Sequence, residues 1–466
     1  RLGRINSGNQ ILDYFNNSGN DWASYVKIKI MLNNKNIFFN KKILIYGLGK
    51  SGLSSFRYLK KQNKIYLYDD KKIDNKHIGI KKNIISYTKV INKNFDHIIV
   101  SPGININNCK LRNILKKNKK KIYTDLDIFF SQYSNNTNIT ITGTNGKSTT
   151  AKIIYEVLRQ KKNDVRLVGN IGNPILLEKN ITNKTIFVIE ASSYQLEYSK
   201  LFKSNVAAIL NISPDHLERH ITLKNYIRAK FRLIQNQTKK DYAILNVSNS
   251  YIKKQIKNQK FLSKIIKVKK KIDAKILRRI NNPYFMSDGN KENLSFVFEI
   301  AKIFKVKNFF LFKVLKKFNG LKYRQQITFK SKNLTIINDS KATSFSSSVS
   351  ILKSMSNVYW IVGGLAKKGD KFLLSKNDCK NFKVYIFGKN KNFFIKKLKK
   401  FMKYESFKDL KTLIRKIFLD IKNYKNQKHI TILFSPAAAS FDSFNNFEER
   451  GRYFNNLIKE FNDVKR

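Results

Sequence analysis

The stretch Asn138-Ile-Thr-Ile-Thr-Gly-Thr-Asn-Gly-Lys-Ser-Thr-Thr150 limits the possible folds more than any other part of this chain. A short β-branched strand runs into a Gly-Thr-Asn-Gly turn, and a helical pattern begins once Lys147 and Ser148 have passed. Glycines let backbone N–H groups close on phosphate oxygens, and the following helix offers its positive N-terminus. In that geometry Gly143, Thr144, Asn145, Gly146 and Thr149 cradle a triphosphate. Lys147 reaches its outer phosphates and the Ser148 hydroxyl is placed to hold Mg²⁺. The loop is shorter than the standard phosphate loop, because Ile141 stands where that loop has its first glycine.

Two more blocks flank this one. Lys41-Lys-Ile-Leu-Ile-Tyr-Gly-Leu-Gly-Lys-Ser-Gly-Leu-Ser-Ser55 reads as strand, Gly-x-Gly-x-x-Gly, helix, and the next strand, Lys64–Tyr68, ends in Asp69-Asp70. This is the form of a βαβ dinucleotide fingerprint with its ribose-reading acid, a turn that also serves other diphosphates. A third strand over 96–101 ends in Ser101-Pro102-Gly103, at the carboxyl edge where open α/β sheets bind ligands. Beyond 321, short β-branched or aromatic strands at 334–338, 358–362, 384–387 and 430–434 alternate with helical segments. The expected fold is α/β, with three domains in series: a Rossmann-like domain at 31–135, a central phosphate-loop domain at 136–320 and a C-terminal Rossmann-like domain at 321–466. Residues 250–282 are lysine-rich with weak periodicity and are expected to form an exposed hairpin or loop. Residues 1–30 differ in composition from the rest and contain no methionine. We expect them to be a non-native or disordered segment, with the native start at Met31.

The net charge of +62 invites a nucleic-acid reading. The lysines, however, are spread along the whole chain beside abundant Asn, Ile, Phe and Tyr, the residues of A/T-rich codons, with no basic tail or single patch. Drift in composition is the simpler account, and no specific nucleic-acid partner is expected. Cys109 and Cys379 are too few and too far apart for a disulfide framework or a thiolate metal site. No run approaches the roughly 20 apolar residues of a membrane span. A cytoplasmic protein without membrane insertion is expected.

Against that drift, islands of fixed composition identify further candidates. Glu190, at a strand end in Glu190-Ala-Ser-Ser-Tyr-Gln-Leu-Glu197, can hold Mg²⁺ opposite Ser148, although a lone strand-end acid is as readily a solvated one. His216, in Asn211-Ile-Ser-Pro-Asp-His216, is a candidate for a second metal, while His220 reads as surface. Lys230 reads, by itself, as a surface lysine on the helix over 224–235.

Together, Gly143–Thr149, Glu190–Glu197, Asn211–His216 and Ala229-Lys230 resemble the Mur ligase family of ATP-dependent amide ligases, which build the peptidoglycan stem peptide. Three further stretches resemble the form that adds D-glutamate to UDP-N-acetylmuramoyl-L-alanine. These are Gly47–Ser54 with Ser101–Ile104, Asn338–Thr343, and Leu433–Gly451. The resemblance covers about 40–466.

This resemblance implies that the first domain holds the UDP part of the substrate. Gly47, Leu48, Gly49, Ser51 and Gly52 would lie at the diphosphate, with Ser101, Pro102 and Gly103 beside them and Asp69 and Asp70 near uridine. Asn170 would contact the muramoyl part. Asn290 and Asn293 would lie near adenine, and Arg324 and Asp339 near the ATP phosphates and ribose. Two Mg²⁺ sites would use Ser148, Glu190, His216 and Lys230, the lysine as a carbamate. Lys147, His216 and Lys230 would form the catalytic set. Lys341, Thr343, Lys367, Ser440, Phe441 and Phe447 would receive D-glutamate. The implied chemistry is attack of the substrate carboxylate on ATP, giving an acyl phosphate that the D-glutamate amine then opens. A monomer is expected.

Overall fold

The computed structural model describes residues 36–71, 75–161, 163–269, 272–366, 370–423 and 428–463. The expectations for residues 1–30 and for Lys367 lie outside the described residues. The chain divides into two compact units, one made of the residues up to Lys147 with Leu158–Lys269, the other of Ser148–Val157 with the residues from 270 onward.

The first unit carries two sheets. Its N-terminal sheet has the order β2-β1-β3-β4, from β1 (Lys42–Tyr46), β2 (Lys64–Tyr68), β3 (His97–Val100) and β4 (Ile122–Tyr123), all parallel. The run Ile43-Leu-Ile-Tyr46 is buried on both faces, as a parallel strand covered by helices requires. The second sheet has the order β10-β9-β8-β5-β7-β6 and is also parallel throughout. Its strands are β5 (Asn138–Thr142), β6 (Val165–Gly169), β7 (Ile186–Glu190), β8 (Val206–Ile209), β9 (Tyr242–Asn246) and β10 (Lys264–Val268). After β7 the chain crosses β5 to form β8 on its other side. The carboxyl ends of β5, β7 and β8 therefore meet at a switch in strand order, where α/β sheets leave a crevice.

One apolar core joins the two sheets of this unit, running from Phe38 to Ile252. The helix Asp125–Tyr133 is its seam: Phe129 packs edge-on against Phe187 of β7 at 4.8 Å, and Phe130 meets Phe202. Asp127 on the same helix is wholly buried. Its carboxylate accepts from the Thr124 amide and hydroxyl, the Ser199 hydroxyl and the amides of Lys200, Leu201 and Phe202. A carboxylate this deep is tolerated only when its lone pairs are filled, and here they are.

The second unit carries the third sheet, β11-β12-β16-β13-β14-β15. The strands are β11 (Gln326–Lys330), β12 (Leu334–Asn338), β13 (Val358–Gly363), β14 (Phe382–Phe387), β15 (Lys403–Ser406) and β16 (Ile430–Phe434). Only β11 is antiparallel, paired with β12. Cores lie on both faces of the sheet, one around Trp360 and Phe345, the other around Phe434 and Phe454.

The α/β class and the parallel sheets agree with the sequence expectation. The reading of 250–282 does not: the chain forms a helix at Ser250–Asn258, then β10, then a helix at Ala274–Ile280. Lysines fill the exposed positions of each element, and a thin set of apolar residues (Ile252, Val268 and Ile280) is buried. That dilution masked the period. Among the described residues no helix is long and apolar enough to cross a membrane.

Candidate functional site

In the first unit, the phosphate loop leaves β5 at Gly143, whose φ of +154° leads into the turn, and Gly146 takes a φ of +82°. Asn211, at the end of β8, clamps this loop. Its carbonyl accepts from the Thr144 amide at 2.9 Å and its Oδ1 from the Asn145 amide at 2.8 Å. Those two N–H groups are therefore spent on the loop's own shape and not directed at a ligand. Lys147 Nζ donates to the carbonyls of Gly143 and Thr144, each at 2.8 Å.

Lys230, on the helix Leu223–Gln235, is 1 % exposed and donates from Nζ to the same Gly143 carbonyl at 2.8 Å. Burial and then the charge of Lys147 hold its ammonium well below the usual lysine range. Its reading as a surface side chain is thus corrected: the helix turns its apolar face, including Lys230, into the core. Tyr226, one turn earlier, packs under the Lys230 ammonium and lies 3.0 Å from the Thr144 hydroxyl.

Glu190 ends β7, is 1 % exposed, and accepts from Asn170 Nδ2 at 2.8 Å, while the Asn170 amide donates to the Glu190 carbonyl. His216 sits in the left-handed region with φ +53°. Its Nδ1 lies 3.0 Å from the Tyr194 hydroxyl, and Asp215 and Glu218 each approach the ring at 3.5 Å. His220, read as surface, is instead buried, with Nε2 3.0 Å from the Ser193 hydroxyl and its pKa pushed down to about 4 by burial and then by Arg219. The short helix Leu217–His220 turns it inward.

The N-terminal turn is held as tightly. Ser101 Oγ donates to the Gly47 carbonyl at 2.6 Å, and Asp69 accepts from the Leu48 amide at 2.6 Å. Asp70 accepts from the Tyr46 hydroxyl at 2.7 Å and from the Lys110 amide. Both acids thus brace the turn. A Cβ on Gly52 would lie 1.9 Å from the Gly47 carbonyl oxygen, whereas Gly49 and Gly103 have open space. A cavity of about 740 Å³ joins this turn to the phosphate loop, its wall including Lys50, Ser51, Pro102, Asp125, Lys147, Asn170, Tyr194, His216, Tyr226 and Lys230.

In the second unit, Ser148 and Thr149 are buried, and Thr149 Oγ1 lies 3.4 Å from the Tyr284 hydroxyl. Asn290 donates to the Tyr284 carbonyl and to Gln325 Oε1, and Asn293 to Asn290 Oδ1. Asp339 accepts from Ser435 Oγ at 2.9 Å and the Gln325 amide at 3.1 Å, and Arg324 lies close enough to favour its charge. Lys341 Nζ lies 4.0 Å from the centre of the Phe447 ring. Ser440 is buried, Thr343 exposed and Phe441 71 % exposed. The sequence reading did not single out Arg450, which is wholly buried and donates to Ser340 Oγ, Ser340 O and Ala438 O. It lies inside the Leu433–Gly451 stretch, where its separate role could not be read.

With this geometry in view, two family descriptions match the chain: Mur ligase MurD-like, N-terminal domain, over residues 41–122, and Mur ligase middle domain over 141–310. A UDP-N-acetylmuramoylalanine--D-glutamate ligase from Rickettsia bellii is 31% identical, over 91% of this chain and 98% of that protein. The chain belongs to the Mur ligase family. A protein of the same name from Francisella philomiragia is 33% identical over 91% and 98% of the two chains. Among solved structures, the MurF ligase from Thermotoga maritima in complex with ADP matches with a TM-score of 0.53 at 14% identity. It covers 91% of this chain and 99% of that one, and shows the shared fold.

Gly143, Lys147, Lys230 and Glu190 bring two lysines and one carboxylate to the end of a single sheet. Among the described residues no three His, Cys, Asp or Glu side chains are arranged to hold a metal. Burial and the neighbouring Lys147 lower the Lys230 pKa and so favour its neutral amine over an ordinary lysine's. Of the candidate metal ligands in this unit, Glu190 is buried with its carboxylate held by Asn170, and His216 lines the cavity.

Proposed function

We propose that this Mur ligase joins the amine of D-glutamate to the carboxyl of UDP-N-acetylmuramoyl-L-alanine, with hydrolysis of ATP to ADP and phosphate. The observation that carries this reading is the single cavity shared by the diphosphate-type turn at Lys50-Ser51 and the phosphate loop at Lys147. A nucleotide-sugar anchored at one end brings its far carboxylate to the other. The names of the relatives, which align over nearly their whole length, supply the amino acid.

On this reading Gly47, Leu48, Gly49, Ser51 and Gly52 hold the diphosphate, braced by Ser101, Pro102, Gly103, Asp69 and Asp70, and Asn170 faces the muramoyl group. The loop from Gly143 to Thr149 binds the ATP phosphates through groups other than the Thr144 and Asn145 amides, which Asn211 holds, with Asn290, Asn293, Arg324 and Asp339 serving its adenosine and phosphates. Lys341, Thr343, Lys367, Ser440, Phe441 and Phe447 receive D-glutamate. Ser148, Glu190, His216 and carbamylated Lys230 would hold two Mg²⁺ ions, which neutralise charge where two anions meet. Lys147 swings from its loop carbonyls to the γ-phosphate. A substrate carboxylate oxygen bonds to the γ-phosphorus and ADP leaves. The D-glutamate nitrogen then bonds to the acyl carbon, gives up a proton, and phosphate departs. Lys147 stabilises the charge that develops in the first step. The protein acts as a cytoplasmic monomer in this reading.

The test is phosphate release measured with UDP-N-acetylmuramoyl-L-alanine, ATP and Mg²⁺ across amino acids of both hands. Release that requires both the nucleotide-sugar and D-glutamate is the expected result. Release with another amino acid, or with none, overturns the assignment.

A further inference from the structure

Ser51 stands second in the helix Lys50–Leu59, directly after the glycine turn, and lines the cavity. Its hydroxyl is not free to face a ligand. Ser51 Oγ lies 2.6 Å from Asp125 Oδ2, and Asp125 also lines the cavity while being 6 % exposed. The other carboxyl oxygen of Asp125 accepts from the Leu126 amide at 3.0 Å.

This pairing conflicts with the charge of the proposed ligand. If Asp125 is ionised it can only accept, so the Ser51 proton points at Asp125 and the serine offers lone pairs to an incoming anion. A diphosphate oxygen would then meet an acceptor backed by a carboxylate. If Asp125 carries a proton, it donates to Ser51 Oγ, and the Ser51 hydroxyl hydrogen turns towards the cavity.

We propose that Asp125 is a positioning residue that works in its protonated form, donating to Ser51 so that the Ser51 hydroxyl can donate to the substrate diphosphate. The proposal rests on the reading that the diphosphate occupies the Gly47–Gly52 turn. Binding the nucleotide-sugar therefore takes up a proton. The surroundings agree. Burial raises the Asp125 pKa, and Asp127 on the same helix adds a like charge, against the lowering effect of the Ser51 and Leu126 hydrogen bonds. The other titratable groups that line the same cavity are Lys50, Lys147, Tyr194, His216, Tyr226 and Lys230. Glu197, on the helix Ser193–Glu197, is occupied by Arg219, and the stretch 170–177 contributes only uncharged side chains.

The experiment is calorimetric binding of UDP-N-acetylmuramoyl-L-alanine, without ATP, in buffers of different ionisation enthalpy between about pH 6 and about pH 8.5. The full chain should take up close to one proton per ligand at the upper end. Its affinity should fall there by up to about tenfold per pH unit. Asp125→Asn places a permanent N–H donor against Ser51 Oγ. It should remove the uptake and flatten the pH dependence, so that it binds more tightly than wild type at high pH. Ser51→Ala should bind weakly at every pH, and Ser51→Ala with Asp125→Asn should gain nothing over Ser51→Ala alone. Circular dichroism confirms that each variant is folded. Uptake of no proton, or an Asp125→Asn profile parallel to wild type, overturns the role of Asp125. Binding that ignores Ser51→Ala altogether instead overturns the placement of the diphosphate.

Discussion

Lys147 and Lys230 share one acceptor, each donating from Nζ to the Gly143 carbonyl oxygen at 2.8 Å. Two ammonium groups on one oxygen repel, and the deeper one, Lys230, yields its proton more easily. The phosphate loop thus holds two lysines in unequal settings, the buried one more ready to lose its proton.

That arrangement costs stability. Lys230→Met should raise the melting temperature of the ligand-free protein, by an amount corresponding to about 1–3 kcal/mol, while phosphate release falls to background. The sign with pH is fixed. Because the folded-state pKa is depressed, the unfolded chain binds more protons up to its own value near ~10.4. Wild-type stability therefore rises with pH, and the variant's advantage shrinks. A variant that melts lower at neutral pH counts against this account. Lys230→Ala should regain part of its activity with added short carboxylates, and full activity without them refutes the carbamate.

Gly52 and Gly49 belong to one turn but should respond differently to alanine. A Cβ on Gly52 would lie 1.9 Å from the Gly47 carbonyl oxygen, a backbone atom that cannot move aside cheaply. Gly52→Ala should cost about 2–3 kcal/mol in urea unfolding and abolish nucleotide-sugar binding. Gly49→Ala meets nothing within 4 Å and should cost no more than about 1 kcal/mol, from the poorer helix cap. Equal losses in the two variants would show that the close contact is not what fixes this turn.

Asp339 carries a third prediction. Burial pushes its pKa up to about 7, against the hydrogen bonds from Ser435 and the Gln325 amide and the nearby charges of Arg324 and Arg450. A carboxyl with a raised folded-state pKa favours folding most below its unfolded value near ~3.9. That contribution is lost as pH climbs through about 7. Asp339→Asn should therefore gain stability relative to wild type between about pH 5 and about pH 8. The check is denaturant unfolding of both proteins at several pH values, and a difference that does not vary with pH removes the proposed titration.

The phosphate loop, the N-terminal turn and the main strands were legible because each depends on glycines or β-branched runs that few other residues can replace. What escaped were features made by partners far apart in sequence. Asp127 looks like an ordinary helix acid until Ser199 to Phe202 close around it. Asn211 reads as a strand end, though it shapes the phosphate loop. His220 lies four residues from His216, and a left-handed backbone at the first and a short helix after it send one ring to the cavity and the other into the core. Lys230 carried a trace of its burial in Tyr226, one helical turn before it, but its apolar setting comes from the sheet below. In 250–282 the signal was present and diluted by lysine.

The seam at Phe129 has a further consequence. The helix Asp125–Tyr133 packs into the core shared by both sheets, so aromatic rings tie the half that carries the Ser51 turn to the half that carries the Lys147 loop. On the proposed reading the first unit would act as a ruler. A nucleotide-sugar would present its acid at the phosphate loop only if its reach from diphosphate to free carboxylate matched the span between the two turns. One residue too many or too few on the stem would be rejected by length before any side chain reads its identity.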